Sequence, residues 1–163
     1  MSYSIWLEPI EEDSEYLKNI IVKLSNEFDS PIFEPHITLD SVKKIPPSIK
    51  MIDVLSNISK IVIFCDKMKY SDYFWKTLFI EMKKNDELDK FKIILKNELD
   101  IDTDYEFEPH ISLIYKKLEN EKKKNIISKI NIKSKFTFDK ISIIMSSDKV
   151  EDWTKIFTYK LKN

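Results

Sequence analysis

Seven residues, Phe33-Glu34-Pro35-His36-Ile37-Thr38-Leu39, return as Phe107-Glu108-Pro109-His110-Ile111-Ser112-Leu113 with only Thr exchanged for Ser. The copies begin at Phe33 and Phe107, 74 residues apart. That spacing is too long for the unit of a solenoid and suits two equivalent α+β lobes facing each other. Read as strands, both copies alternate, so His36 and Thr38 leave one face while Ile37 and Leu39 leave the other. The copies also hold the only two histidines of the chain. Two imidazoles and two hydroxyls can therefore meet across one cleft.

The rest of the pattern fits such a duplication. Tyr3 to Leu7 reads as a strand stopped by Pro9, and Leu17, Ile20, Ile21, Leu24 and Phe28 recur at helical spacing after Asp13 and Ser14, which can cap. Asp29-Ser30-Pro31 is turn chemistry before the first heptapeptide strand, which ends near Ser41. Pro46 and Pro47 suit a helix start, with Ile49, Ile52, Leu55 and Ile58 as its apolar stripe. Ile61 to Lys69 and Tyr73 to Met82 form a hairpin across Ser71-Asp72, closing the first lobe. Leu88, Phe91, Leu95 and Leu99 mark a third helix, and Asp100 to Asp104 form an acidic loop into the second heptapeptide. Leu118 to Ile130 is a lysine-rich helix in which Lys122-Lys123-Lys124 reads as a solvated face. Phe136 to Met145 and Trp153 to Leu161 complete the chain as strands. The expected fold class is α+β, a bilobal duplicated fold with two antiparallel sheets facing a central cleft and helices outside. No low-complexity linker separates the halves, so residues 1–163 are expected to form a single domain.

Composition removes several classes of function. The chain contains no Gly, Ala, Arg or Gln, a bias that an AT-rich genome imposes through codon usage. Without glycine there is no Walker loop, no Rossmann fingerprint and no nucleophile elbow. Without arginine, a phosphate must be held by Lys, His, hydroxyls or backbone N–H groups. Charges nearly cancel to -1, which argues against a polyanion-coating protein and leaves room for a small anionic ligand. No stable nucleic-acid partner is expected. Cys65 stands alone, and no run resembles a signal core or a membrane span. A reducing, cytoplasmic location and no membrane partner are expected.

A lone His-x-Thr is weak, but two nearly identical copies that keep the polar face are not. Imidazole titrates near neutrality, so one copy can act as base while the other carries a proton. Phosphodiester cleavage needs that division, with Thr38 and Ser112 donating to the non-bridging oxygens. Which histidine is base and which acid stays open, and a pair sharing one phosphate titrates together. Pro35 and Pro109 force Glu34 and Glu108 into extended geometry; the glutamates read as surface or strand-edge residues. Zinc wants three or four close ligands, and two distant His with one Cys do not supply them, so no metal and no cofactor are expected.

With His36-Ile37-Thr38 and His110-Ile111-Ser112 as the paired motifs, the chain resembles the 2H phosphoesterase superfamily, and within it the cyclic phosphodiesterases. Ser4-Ile5-Trp6, Tyr73-Phe74-Trp75 and Leu113-Ile114-Tyr115 extend the resemblance over nearly the whole chain. The resemblance implies His36 and His110 as acid–base pair, Thr38 and Ser112 as phosphate holders, and Tyr115 near the phosphate or base. Strict alternation puts Tyr115 off the His110 face, so its entry into the cleft requires the strand to end or twist. Trp6 and Trp75 match aromatic positions around the nucleotide; for both, core packing is the competing reading, and Trp153 reads as core. The implied substrate is a nucleoside 2',3'-cyclic phosphate or ADP-ribose 1'',2''-cyclic phosphate, cleaved by a monomer. Two alternatives stand beside it. One is degradation of signalling nucleotides, such as a cyclic dinucleotide or a 2'-5' oligoadenylate, which an AT-rich virus or parasite would use against host immunity. The other is a phosphate- or RNA-end-binding module without turnover.

Overall fold

The computed structural model describes residues 2–163. Its elements in chain order are β1 (Ser2–Pro9), α1 (Glu11–Phe28), β2 (Ile37–Val42), α2 (Ser48–Leu55), β3 (Ile61–Tyr70), β4 (Leu78–Met82), α3 (Asp86–Leu99), β5 (His110–Ile114), α4 (Asn120–Lys129), β6 (Lys135–Ser146) and β7 (Thr154–Lys160). All strand pairings between these elements are antiparallel, in the order β2-β1-β6-β3-β4-β5, with β7 on β6. The two sheets of the sequence reading are thus continuous, joined through β3. Residues Ile61 to Phe64 of β3 pair with β6, and its later part, Cys65 to Tyr70, pairs with β4.

The lobes are not the two halves of the sequence. β1 and β2 are completed by β6 and β7 from the far end of the chain, whereas the β3–β4 hairpin, expected to close the first lobe, joins β5. The cause is register: all eight residues of β1 find partners along β6, an amount of ladder that no local hairpin supplies to it. The signature strands β2 and β5 end up at opposite ends of the strand order. One face of these strands, carrying Ile5, Leu7, Ile37, Leu39, Ile111 and Leu113, packs into a single core with Leu17, Ile21 and Leu24 of α1. The other face lines the cleft.

Both signature strands carry a bulge at the equivalent residue. Trp6 pairs with Thr38 and Ile5 with Asp40, so Leu39 has no opposite number; Phe79 pairs with Ser112 and Leu78 with Ile114, so Leu113 has none. An extra residue reverses the alternation beyond it. Asp40 and Ile114 therefore turn inward, being 3% and 0% exposed, and Ser41 and Tyr115 turn to the cleft. This is the twist that Tyr115 requires.

Several local expectations change. The strands start at Ile37 and His110, after the Glu-Pro dipeptides, because proline offers no N–H to a ladder. α1 begins at Glu11, and Asp13 spends its carboxylate on Lys133 and the Thr137 N–H (2.7 Å) instead of capping. Ile49 is exposed and Met51 with Leu55 faces the core, so α2 is rotated relative to the predicted stripe. Phe74–Lys76 forms a 3-10 turn before β4. Lys123 is buried, not solvated: its ammonium donates to the Ser71 carbonyl at 2.8 Å and lies 3.5 Å from the Asp72 carboxylate. In a chain without glycine, Asp29 and Asp100 end α1 and α3 in the left-handed region at φ 53° and 54°. Among the described residues no helix is long and apolar enough to cross a membrane.

Candidate active site

A cavity of about 670 Å³ opens between the lobes, and His36, Thr38, His110 and Ser112 all line it. Each histidine is oriented by its own strand. The His36 Nδ1 lies 2.7 Å from the Glu34 carbonyl, and the His110 Nδ1 lies 2.6 Å from the Glu108 carbonyl. A carbonyl only accepts, so Nδ1–H donates in both rings and Nε2 is the nitrogen left to titrate. The proline that follows each glutamate fixes the extended backbone that turns this carbonyl back to the ring. The glutamate side chains serve elsewhere, Glu34 with Lys18 and Glu108 with Lys76 at 2.8 Å.

The environment disfavours the charged form of both rings. Burial pushes His36 down to about 3, with His110 and Lys155 adding positive charge nearby, against an opposing pull from the Glu34 carbonyl. His110, half-buried, is also lowered by burial, and Lys76 adds to this, while the Glu108 carbonyl and carboxylate pull upward. Much of the covering of His36 comes from Trp6, which stacks on it with centroids 3.5 Å apart and planes 4° off parallel.

The hydroxyls are not equivalent. Ser112 donates to the Trp75 carbonyl at 2.9 Å and lies beside the Tyr115 phenol. Thr38 lines the same cleft as Tyr105. Burial, first of all, raises the Tyr115 phenol far above its ordinary value, so it stays a donor. Tyr115 stacks on Phe33 at 4.1 Å and meets Trp75 edge-on at 5.1 Å.

The aromatics divide by exposure. Trp6 is 4% exposed, one face taken by His36 and its edge by Trp153 at 5.5 Å. Trp75 is half-buried, and Tyr73 beside it is 63% exposed. Trp153, expected in the core, lines the cleft and packs on Trp75 at 5.6 Å. Sequence reasoning also passed over Tyr105 and Lys76; Tyr105 sits in a loop whose acidic composition hid it. The cleft is lined by Asp104, Glu106, Glu108 and Asp148 against one lysine, Lys76. Among the described residues no group of three or more His, Cys, Asp or Glu is arranged to hold a metal ion.

Comparison with known proteins shows which chains share this sequence pattern and this fold. A family model described as cyclic phosphodiesterase-like protein matches residues 1–161. The chain is 28% identical over 131 residues to a cyclic phosphodiesterase of Arabidopsis thaliana, covering 76% of this chain and 70% of that protein. E. coli LigT, in a crystal structure with 3'-AMP, has a similar fold with a TM-score of 0.62 at 13% identity, over 99% of this chain and 98% of LigT. TT0787 of Thermus thermophilus is similar at a TM-score of 0.63 and 13% identity, over 99% and 98% of the two chains.

Proposed function

This chain belongs to the cyclic phosphodiesterase-like family of the 2H phosphoesterase superfamily, and from that premise we propose that it hydrolyses the cyclic phosphate of a small nucleotide by acid–base chemistry between His36 and His110. The membership supports a phosphodiesterase. The finer reading takes a nucleoside 2',3'-cyclic phosphate or ADP-ribose 1'',2''-cyclic phosphate as substrate. The observation that carries it is the matched anchoring of two imidazoles on one cavity, both with Nδ1 tied to the carbonyl two residues before and Nε2 left to exchange protons.

In this reading the reaction runs as an in-line displacement at phosphorus. One Nε2 takes a proton from the attacking water as the O–P bond forms, and the other Nε2–H delivers a proton to the departing ribose oxygen as its P–O bond breaks. Burial favours His36 as the neutral ring and His110 as the readier carrier of the proton. Thr38 donates to a non-bridging oxygen, where charge accumulates, and Ser112 joins it by turning its proton from the Trp75 carbonyl to the phosphate. Trp75 and Tyr73 offer the nucleoside a stacking surface, while Trp6, already covered, holds His36 in place and dry. No metal ion or cofactor enters the scheme, and a single chain contains both half-sites. The carboxylates around the cleft favour a substrate with few phosphates over an oligoadenylate.

Incubation with EDTA and 2',3'-cyclic AMP, a 2'-5' oligoadenylate or cyclic GMP-AMP, followed by chromatography, tests this. Opening of the first, lost in His36→Ala and His110→Ala, is expected. Turnover of only the latter two transfers the enzyme to signalling-nucleotide degradation. Retention of phosphate without turnover of any of the three makes it a binding module.

A further inference from the structure

A cleft that is to hold an anion is lined here mostly by carboxylates. Asp104, Glu106, Glu108 and Asp148 line it, and Lys76, the last residue of the 3-10 turn Phe74–Lys76, is the single lysine among the described residues that do so. The fold fixes where that charge sits. The Lys76 ammonium donates to the Glu108 carboxylate at 2.8 Å and lies over the Phe79 ring, 4.7 Å from its centroid. Phe79 in turn meets the His110 ring edge-on, with centroids 5.5 Å apart. Glu108 is also the residue whose carbonyl anchors the His110 Nδ1. One glutamate and one aromatic ring thus place ammonium and imidazole together, and His110 feels Lys76 as a nearby positive charge.

We propose that the Lys76 ammonium binds the substrate phosphate beside His110, releasing Glu108 to do so. A cyclic phosphodiester carries a negative charge, and displacement at phosphorus concentrates more of it on the non-bridging oxygens. Thr38 and Ser112 meet that charge only as neutral hydroxyls, and the charged forms of both imidazoles are disfavoured. The chain has no arginine, so a permanent side-chain cation here must be a lysine. Lys155, whose charge reaches His36, is bound to Glu8 at 2.9 Å and lines a separate cavity of about 190 Å³. Lys76 is free to exchange partners. An ammonium has three donors, and the Lys76 and Glu108 side chains are 23% and 62% exposed, so their ion pair is worth little by itself. The inference rests on the phosphodiesterase reading given above.

Its test compares Lys76→Met with Glu108→Gln, two changes that break the same ion pair and should part company on phosphate. Each protein is titrated calorimetrically with inorganic phosphate at neutral pH and assayed for kcat/KM on 2',3'-cyclic AMP. Lys76→Met should weaken phosphate about tenfold or more, the worth of a charge-assisted hydrogen bond. Glu108→Gln should tighten it about twofold to fivefold, because the ammonium no longer has to leave a carboxylate. The kcat/KM values should fall in the same order. Equal weakening in both variants, which is what an ion pair that only braces the loop would give, overturns the proposal. So does an unchanged affinity in Lys76→Met, or a wild type that binds no phosphate. A wild type that binds phosphate through Lys76 yet leaves 2',3'-cyclic AMP intact overturns the proposed function instead.

Discussion

Replacing His36 with glutamine removes a deeply buried group whose positive charge the fold suppresses, and the consequence for stability is calculable. His36 is 6% exposed and is held at about 3, against 6.5 when free. Between those values the unfolded chain binds a proton that the folded chain refuses, so stability rises with pH through that window and is lost on acidification. From about pH 7 to about pH 5 this single group should cost the wild type about 2 kcal/mol, because each unit below the free value adds about 1.4 kcal/mol. Glutamine keeps an amide that can donate toward the Glu34 carbonyl but cannot charge. Urea unfolding of both proteins at the two pH values isolates the difference, since all other titrating groups are shared. The wild type should lose about 2 kcal/mol more than His36→Gln over this interval. Parallel losses, within about 0.5 kcal/mol of each other, would refute the claim that burial keeps this imidazole neutral.

Four further outcomes are expected. His110→Ala should reduce kcat for 2',3'-cyclic AMP by about 100-fold or more, the usual worth of a general acid or base, in a steady-state assay. Trp75→Ala should raise KM about tenfold with little change in melting temperature, as loss of a stacking surface does. Asp40→Ala removes the buried carboxylate that accepts from Lys92 at 2.8 Å and from the Thr103 hydroxyl, leaving Lys92 the Leu39 carbonyl, and should lower the unfolding free energy by about 2 kcal/mol in urea. Asp29→Gly and Asp100→Gly should each stabilise by about 0.5–1 kcal/mol, since glycine occupies the left-handed region without the Cβ conflict; calorimetry reads this as a raised Tm.

The repeated heptapeptide made the site legible because it is short-range information. Alternation alone separates His36 and Thr38 from Ile37 and Leu39, and the structure keeps that separation. α3 was readable for the same reason, its Leu88, Phe91, Leu95 and Leu99 being both periodic and buried. What failed was long-range. Nothing local to β1 announces β6 as its partner, so the exchange of strands between halves was invisible. Tyr115 was ambiguous because the bulge at Leu113 is a property of pairing with β4 and leaves no mark on β5 itself. Lys123 misled through its charge: a lysine in a lysine run reads as solvated, yet the carbonyl of Ser71 receives its ammonium inside the fold. Tyr105 was missed because the loop that carries it is drawn to β2 by the bond of Thr103 to Asp40, a contact between residues 63 apart in the chain.

The twin bulges give the cavity an approximate dyad that exchanges the imidazoles, exchanges Thr38 with Ser112 and carries Tyr115 onto Ser41. A ligand would meet matching strands from either side but unlike side chains, a phenol and a half-buried imidazole on one, a small hydroxyl and a buried imidazole on the other. That broken symmetry denies a guest the choice of two seatings. The two ester oxygens of a ring phosphate would meet different neighbours, and the bond that opens would be decided by geometry before any proton moves.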